Sequence, residues 1–346
     1  MIEDTRKKIQ KRIEELKHRM NYDANDLEYE THLHLMRDLQ RILNNASDTS
    51  KKRKTIINTA DKNEIQPHVG HINFLNCLPL TYSLLKCGYH KGMSLVLAVP
   101  SSLNKLMLEH QLDISPMSSF AFAGMSDSLL MLPNLGIVSD GEVQSIILVS
   151  KKPINELNNE KIFLTAQSAT SHRLLKIILK RAYKCVPQYE VKNVEPAKLF
   201  TDNETADLLI GDYALYANHN RIAGVYYYDI GTEWKKMTGM PMVYAVWAVT
   251  RRFAQEYPEE LEHVYSRLRG GFDNGIADKD KMIEMVLQQK PFSRSQLASY
   301  FNIIKYDVGS SQLEALRTFY KLAYEEGLLP DMPDIQMAAV ASDSNA

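Results

Sequence analysis

From Pro67 onward, strand-length apolar runs alternate with amphipathic helical segments, and that alternation confines the chain to sheets covered by helices. Residues 70–75, 94–99, 113–116 and 144–151 read as strands, and residues 79–85 and 100–109 as helices. The second helix has Pro100 and Ser102 at its start and Leu103, Leu106 and Met107 at helical spacing. A second α/β set follows: a strand at 161–165, a helix at 170–183, a strand at 206–210 ending at Gly211 and Asp212, and a long buried strand at 241–250. Helices then run to about residue 329. Two long strands flanking a compact insertion predict an α/β fold of parallel sheets in two lobes, the chain crossing twice between them. Residues 67–155 and 244–330 form one discontinuous lobe, 156–243 the other, and 331–346 a disordered tail. One larger doubly wound sheet is the competing reading.

The chain before Pro67 is different. Ile9, Ile13, Leu16 and Met20 fall at helical spacing, as do Leu35, Leu39 and Ile42, with a turn-rich stretch at 21–26 between them. This predicts a helical hairpin over residues 1–45, a surface through which copies could self-associate, and a polar linker over 46–66. The basic run Lys51, Lys52, Arg53 and Lys54 reads as solvated linker.

Charge and cysteine usage exclude several classes. With 41 basic and 42 acidic residues there is no global attraction for nucleic acid or an anionic membrane. The longest apolar runs are strand-length and cannot span a bilayer, and the first twenty residues lack the apolar core of a secretory signal. Cys77, Cys87 and Cys185 are too few and too scattered for a disulfide framework, which fits a cytoplasmic setting. No glycine-rich nucleotide loop or nucleophile elbow is present, so no cofactor is expected. Neither His32 with His34 nor His68 with His71 has metal-ligand spacing to a third group, and Cys77 lacks a partnered histidine. No metal is expected, and these residues read as structural or as lining.

Hydroxyl and amide side chains gather where strands end and helices begin. Ser168, Thr170 and Ser171 precede a helix; Ser118 and Ser119 follow a strand; Ser145 heads a buried strand; Asn76, Gly211 and Asp212 lie on similar edges. Ordinary N-capping explains one hydroxyl of such a group but not three in four positions. Together they describe a cleft of neutral donors suited to a polyanionic small molecule.

Several segments also carry a family resemblance. Gly70-His-Ile-Asn-Phe-Leu-Asn-Cys-Leu-Pro-Leu80, residues 112–119, Ser139-Asp-Gly-Glu-Val-Gln-Ser145, residues 168–171, 208–215 and 233–247 follow in the order of the chorismate dehydratases of the futalosine route to menaquinone. The resemblance covers residues 67–329 and leaves the hairpin outside; Glu142 stands where that family usually has proline. It implies a periplasmic-binding-protein-like (type II) fold with the site between the lobes. The catalytic pair falls on Asn76 and Ser145, with Ser118, Ser119, Thr170, Ser171 and Asp212 toward the substrate. The implied reaction is a lyase step that dehydrates chorismate to 3-[(1-carboxyvinyl)oxy]benzoate. The substrate's own enolpyruvyl carboxylate would take the proton, with Asp212 the fallback base. Two alternatives stay open. A sister enzyme forming dihydroxynaphthoate would need a cleft histidine, which these motifs do not supply if His71 is structural; a non-enzymatic anion sensor would bind without turnover.

Overall fold

The computed structural model describes residues 10–11, 65–165, 169–192, 199–200 and 203–340. The expected hairpin and linker therefore lie outside the described residues except at 10–11 and 65–66.

From residue 65 onward the chain runs through β1 (His68–His71), a single 3-10 turn (Leu75–Cys77) and α1 (Leu78–Lys86). Next come β2 (Ser94–Leu97), α2 (Pro100–Leu108), β3 (Ile114–Ser118), α3 (Ser119–Ala123) and β4 (Leu129–Ser139). A second set comprises β5 (Ile146–Ser150), β6 (Lys161–Thr165), α4 (Ala169–Ala182), β7 (Gln188–Lys192), β8 (Ala206–Ile210), α5 (Gly211–His219), β9 (Tyr226–Asp229) and α6 (Ile230–Thr238). β10 (Met242–Thr250) follows, then α7 (Arg251–Glu256), α8 (Pro258–Ala277), α9 (Lys279–Glu284), α10 (Arg294–Ile303) and α11 (Ser310–Glu325). Two five-stranded sheets result, in the orders β2-β1-β3-β10-β4 and β7-β6-β8-β5-β9.

The sheets are mixed, not parallel as the alternation suggested. β1 runs parallel to β2 and β3, but β10 is antiparallel to both β3 and β4. In the second sheet β6 is parallel to β7 and β8, while β5 is antiparallel to β8 and β9. The boundary is corrected accordingly. β5, buried along its whole length, lies between β8 and β9, so residues 146–155 go with the second sheet and not with the first lobe. The first crossing is residues 140–145, and the return follows α6.

The tail is corrected too. The Met131 N–H donates to the Gln336 carbonyl at 2.8 Å, and the Ala338 N–H returns to the Met131 carbonyl at 2.9 Å. β4 is an edge strand; this segment covers its open backbone groups at Met131, and residues 305–306 cover those at Gly136 and Val138. Only residues 341–346 of the expected tail fall outside the described residues.

Aromatic packing anchors the first lobe. Trp247 of β10 meets Phe272 of α8 edge-on at 5.2 Å, and Phe272 stacks on Tyr306 at 4.6 Å. α8 reaches α1 because Gly275 has no side chain: a Cβ there would lie 2.2 Å from the Pro79 carbonyl oxygen. This contact backs the turn that carries Asn76. On the other side, Arg181 of α4 pairs with Glu325 and Glu326 at the end of α11, tying the second lobe to the C-terminal helices.

Candidate active site

Asn76 sits in the 3-10 turn between β1 and α1, where Pro79 in the first turn of α1 favours the helix start. A buried relay pins this turn. The Thr81 hydroxyl donates to the Cys77 carbonyl at 3.0 Å, so its oxygen accepts from His71 Nε2 at 2.8 Å. Burial pushes His71 down to about 4, which keeps the ring neutral. Burial likewise pushes the Cys77 thiol up to about 12, leaving no thiolate for nucleophilic chemistry. The Asn76 amide oxygen is buried and has no hydrogen-bond partner. An open buried acceptor costs about 1–3 kcal/mol, and a ligand hydroxyl would relieve that cost.

Ser145 ends the first crossing and heads β5. Its carbonyl accepts the Gly211 N–H at 2.8 Å, and its hydroxyl accepts from Tyr300 of α10 at 3.0 Å while donating to the Val143 carbonyl at 3.3 Å. Burial raises the Tyr300 phenol above its ordinary range, so it stays a proton donor. Asp212 follows Gly211 in the first turn of α5. Its carboxylate accepts the Leu75 N–H at 3.4 Å and pairs with Lys290 at 3.1 Å. Residues 211–212 thus touch Ser145 on one side and the neighbour of Asn76 on the other. Asn76, Ser145 and Asp212 converge between the lobes.

The remaining expected residues form a second cluster where α3 meets α4. Ser118 caps α3 by accepting the Ala121 N–H at 3.3 Å. The Ser119 hydroxyl donates to the Val243 carbonyl at 2.6 Å, while its carbonyl accepts from Tyr320 at 2.7 Å. Thr170 reaches across the lobes to accept the Phe120 N–H at 2.9 Å, and the Arg173 guanidinium lies 4.5 Å over the Phe120 ring. Ser171 is buried beside Thr170, and Ser168 lies outside the described residues. In this structure the hydroxyls of Ser118, Ser119 and Thr170 are engaged by protein groups, the first two within the first lobe and Thr170 across the lobes.

Sequence reasoning missed Tyr300, Lys290 and two further buried groups with unpartnered polar atoms, the Tyr306 hydroxyl and Trp247 Nε1. None carries a local signature; Tyr300 is 155 positions from Ser145. Among the described residues, no group of three or more His, Cys, Asp or Glu could hold a metal ion, and no helix is long and apolar enough to cross a membrane.

Two mixed sheets, crossed twice by the chain and closing on a polar site between them, define a two-lobed binding-protein-like fold. The periplasmic aliphatic sulphonate binding protein of Escherichia coli is similar, with a TM-score of 0.57 at 15% identity, covering 81% of this chain and 95% of that one. At such identity the likeness speaks for the fold alone. The menaquinone biosynthesis family matches residues 67–325, and the chain belongs to it. Its relatives include a chorismate dehydratase of Thermus thermophilus, 32% identical over 202 residues, which are 54% of this chain and 71% of that protein. A chorismate dehydratase of Campylobacter jejuni is 27% identical over 189 residues, covering 54% and 68%.

Proposed function

We propose that this chain dehydrates chorismate to 3-[(1-carboxyvinyl)oxy]benzoate, as a lyase of the futalosine route to menaquinone. The observation that carries the reading is the convergence of Asn76, with its open buried amide oxygen, and Ser145, with its hydroxyl set by Tyr300. The reaction removes the proton from ring C3 and hydroxide from C4. The ring carboxylate acidifies C3 through the diene, and aromatisation drives the loss of water. Such a step needs placed hydrogen bonds more than a strong protein base. The Asn76 amide oxygen accepts from the C4 hydroxyl of the bound substrate while its NH₂ donates to the oxygen of that hydroxyl. The Ser145 hydroxyl turns its proton from the Val143 carbonyl, 3.3 Å away, to the departing oxygen. The enolpyruvyl carboxylate takes the C3 proton within the bound substrate and passes it to the departing hydroxide, which leaves as water. Asp212 orders the site; its engagement by Lys290 and the Leu75 N–H supports that role.

Incubating the protein with chorismate and following its diene absorbance tests the activity. Binding without loss of absorbance would favour a sensor instead. The kcat profile should be flat from roughly pH 6 to 8, because a free carboxylate titrates near 4 and neither Asn76 nor Ser145 ionises in that range. A step near 7 in place of the flat profile would have two candidate sources: the fallback base Asp212, and Asp207, which burial and the neighbouring Glu204 push up to about 7 and which pairs with Val149 on β5, away from Ser145. Asp212→Asn separates the two. A step that survives the substitution does not belong to Asp212, whereas a step that vanishes with nearly all turnover makes Asp212 the base.

The reading places the reaction in the cytoplasm, supported by three free thiols at Cys77, Cys87 and Cys185. It assigns self-association, not chemistry, to residues 1–45. The family match begins at residue 67, and Ile65–Ala346 forms a unit of its own. A chain starting at Gln66 should therefore keep full specific activity and sediment as a smaller species than the full chain. Folded but inactive protein would place residues of the extension in the site.

A further inference from the structure

Ser145 is introduced by a backbone turn that side chains disfavour. Gln144 has φ +60°, and the Ser145 N–H donates to the Val143 carbonyl at 2.7 Å. A three-residue turn with its central residue on the left-handed side is the strained form of that turn, and a residue bearing a Cβ holds it only when its surroundings over-determine it.

The surroundings that do so are on α6. Asp229, the N-cap of α6, accepts the Gln144 N–H at 2.7 Å and the Val143 N–H at 3.1 Å to each carboxylate oxygen. It also caps α6 by accepting the Thr232 N–H at 2.9 Å. The rest of the crossing is fastened to the same helix. Lys235 pairs with Asp140 at 2.6 Å, and Gly231 lies so close that a Cβ would stand 2.2 Å from the Gly141 carbonyl oxygen. Two consecutive N–H groups aimed at one carboxylate fix the Glu142–Val143 and Val143–Gln144 peptide planes, and the Ser145 N–H bonded to the Val143 carbonyl fixes the plane that follows. Those planes set the direction of the Ser145 Cα–Cβ bond, and hence whether its hydroxyl meets Tyr300.

We infer that Asp229 is a positioning residue for the reaction: its carboxylate holds the strained Val143–Gln144–Ser145 turn and so aims the Ser145 hydroxyl. This rests on the assignment of Ser145 to catalysis above. Asp229 acts through Ser145 and has no part in substrate contact.

Asp229→Asn tests it, because asparagine caps a helix as well as aspartate does and leaves α6 intact. Its NH₂ group, however, faces two N–H donors that had an oxygen. The expected result is a kcat loss on the order of 10²-fold with KM nearly unchanged, as for small misplacements of a catalytic group. The decisive measurement is rescue. Glycine adopts the left-handed conformation freely, so adding Gln144→Gly to Asp229→Asn should restore kcat about tenfold. A cap or packing role at α6 would gain nothing from a glycine at position 144. Asp229→Ser also keeps a capping oxygen and serves if the asparagine variant does not fold. Wild-type kcat in Asp229→Asn, or a loss that Gln144→Gly does not relieve, overturns the inference; so does unfolding of both capped variants that the glycine fails to reverse. Ser145→Ala, measured alongside, separates the two readings. If that variant keeps its kcat, the assignment of Ser145 has failed; if it is impaired and Asp229→Asn is not, only the positioning role has.

Discussion

Ser145→Ala and Asn76→Ala are each expected to lower kcat by ~10²–10³-fold while changing substrate affinity little, which is the usual cost of removing one hydrogen-bonding group aimed at developing charge. Both side chains act as donors to the departing C4 oxygen, Ser145 through its hydroxyl and Asn76 through its amide NH₂. Their bonds matter most as the C–O bond lengthens, so the loss belongs in kcat and not in KM. Tyr300→Phe extends the test. It removes the donor that sets the Ser145 hydroxyl at 3.0 Å, so it should lower kcat by less than Ser145→Ala and add little when combined with it. Single-turnover rates with chorismate, measured beside direct binding, separate the two steps. Near wild-type kcat in both alanine variants would remove Asn76 and Ser145 from the chemistry.

What the sequence revealed and what it hid divide along local and non-local lines. β6 and β8 fall where their apolar runs predicted, at Lys161–Thr165 and Ala206–Ile210, because both strands lie inside a sheet and their burial shows as continuous hydrophobicity. β4 was hidden. Its run contains Pro133, Asn134 and Gly136, which read as a turn, and the structure absorbs them in a register shift against Val246 and Ala248 of β10. β7 and β9 were hidden because they are edge strands, half-exposed and polar or tyrosine-rich. The lobe boundary was misplaced for a related reason: a fully buried strand at Ile146–Ser150 suits either sheet, and only its pairing with β8 and β9 decides.

The site divides in the same way. Asn76 and Ser145 could be proposed from the sequence because each stands in a short segment whose neighbours carry the family resemblance. The residues that act on them come from far along the chain. Tyr300 reaches Ser145 across 155 positions, and Asp229 reaches Gln144 across 85. Nothing local in either case distinguishes a helix tyrosine or a helix N-cap from any other. Asp212 shows the reverse: its place at a strand end was legible, but its ion pair with Lys290 was not.

Gly275→Ala should be strongly destabilising although it adds a single methyl group. The added Cβ would stand 2.2 Å from the Pro79 carbonyl oxygen, 2.5 Å from its carbon and 2.6 Å from its Cα. All three are backbone atoms, so no flexible side chain can swing away, and α8 must move off α1. Overpacking of this kind costs roughly 1–3 kcal/mol, and the rigid neighbour puts this case at the upper end. For a chain of this size that corresponds to a fall in Tm of about 4–5 °C. Gly124→Ala is the matched control, since its nearest neighbour would be 3.7 Å away and its φ of -75° suits alanine. It should unfold with the wild type. The effect on rate carries the functional half of the argument. Pro79 lies three positions from Asn76, so any shift of the first turn of α1 also shifts the amide that meets the substrate. Measured well below its Tm, where the folded fraction is complete, Gly275→Ala should still show a lowered kcat, and Gly124→Ala should not. If Gly275→Ala melts with the wild type, the close approach of α8 to α1 is wrong, and the support that contact gives to Asn76 falls with it.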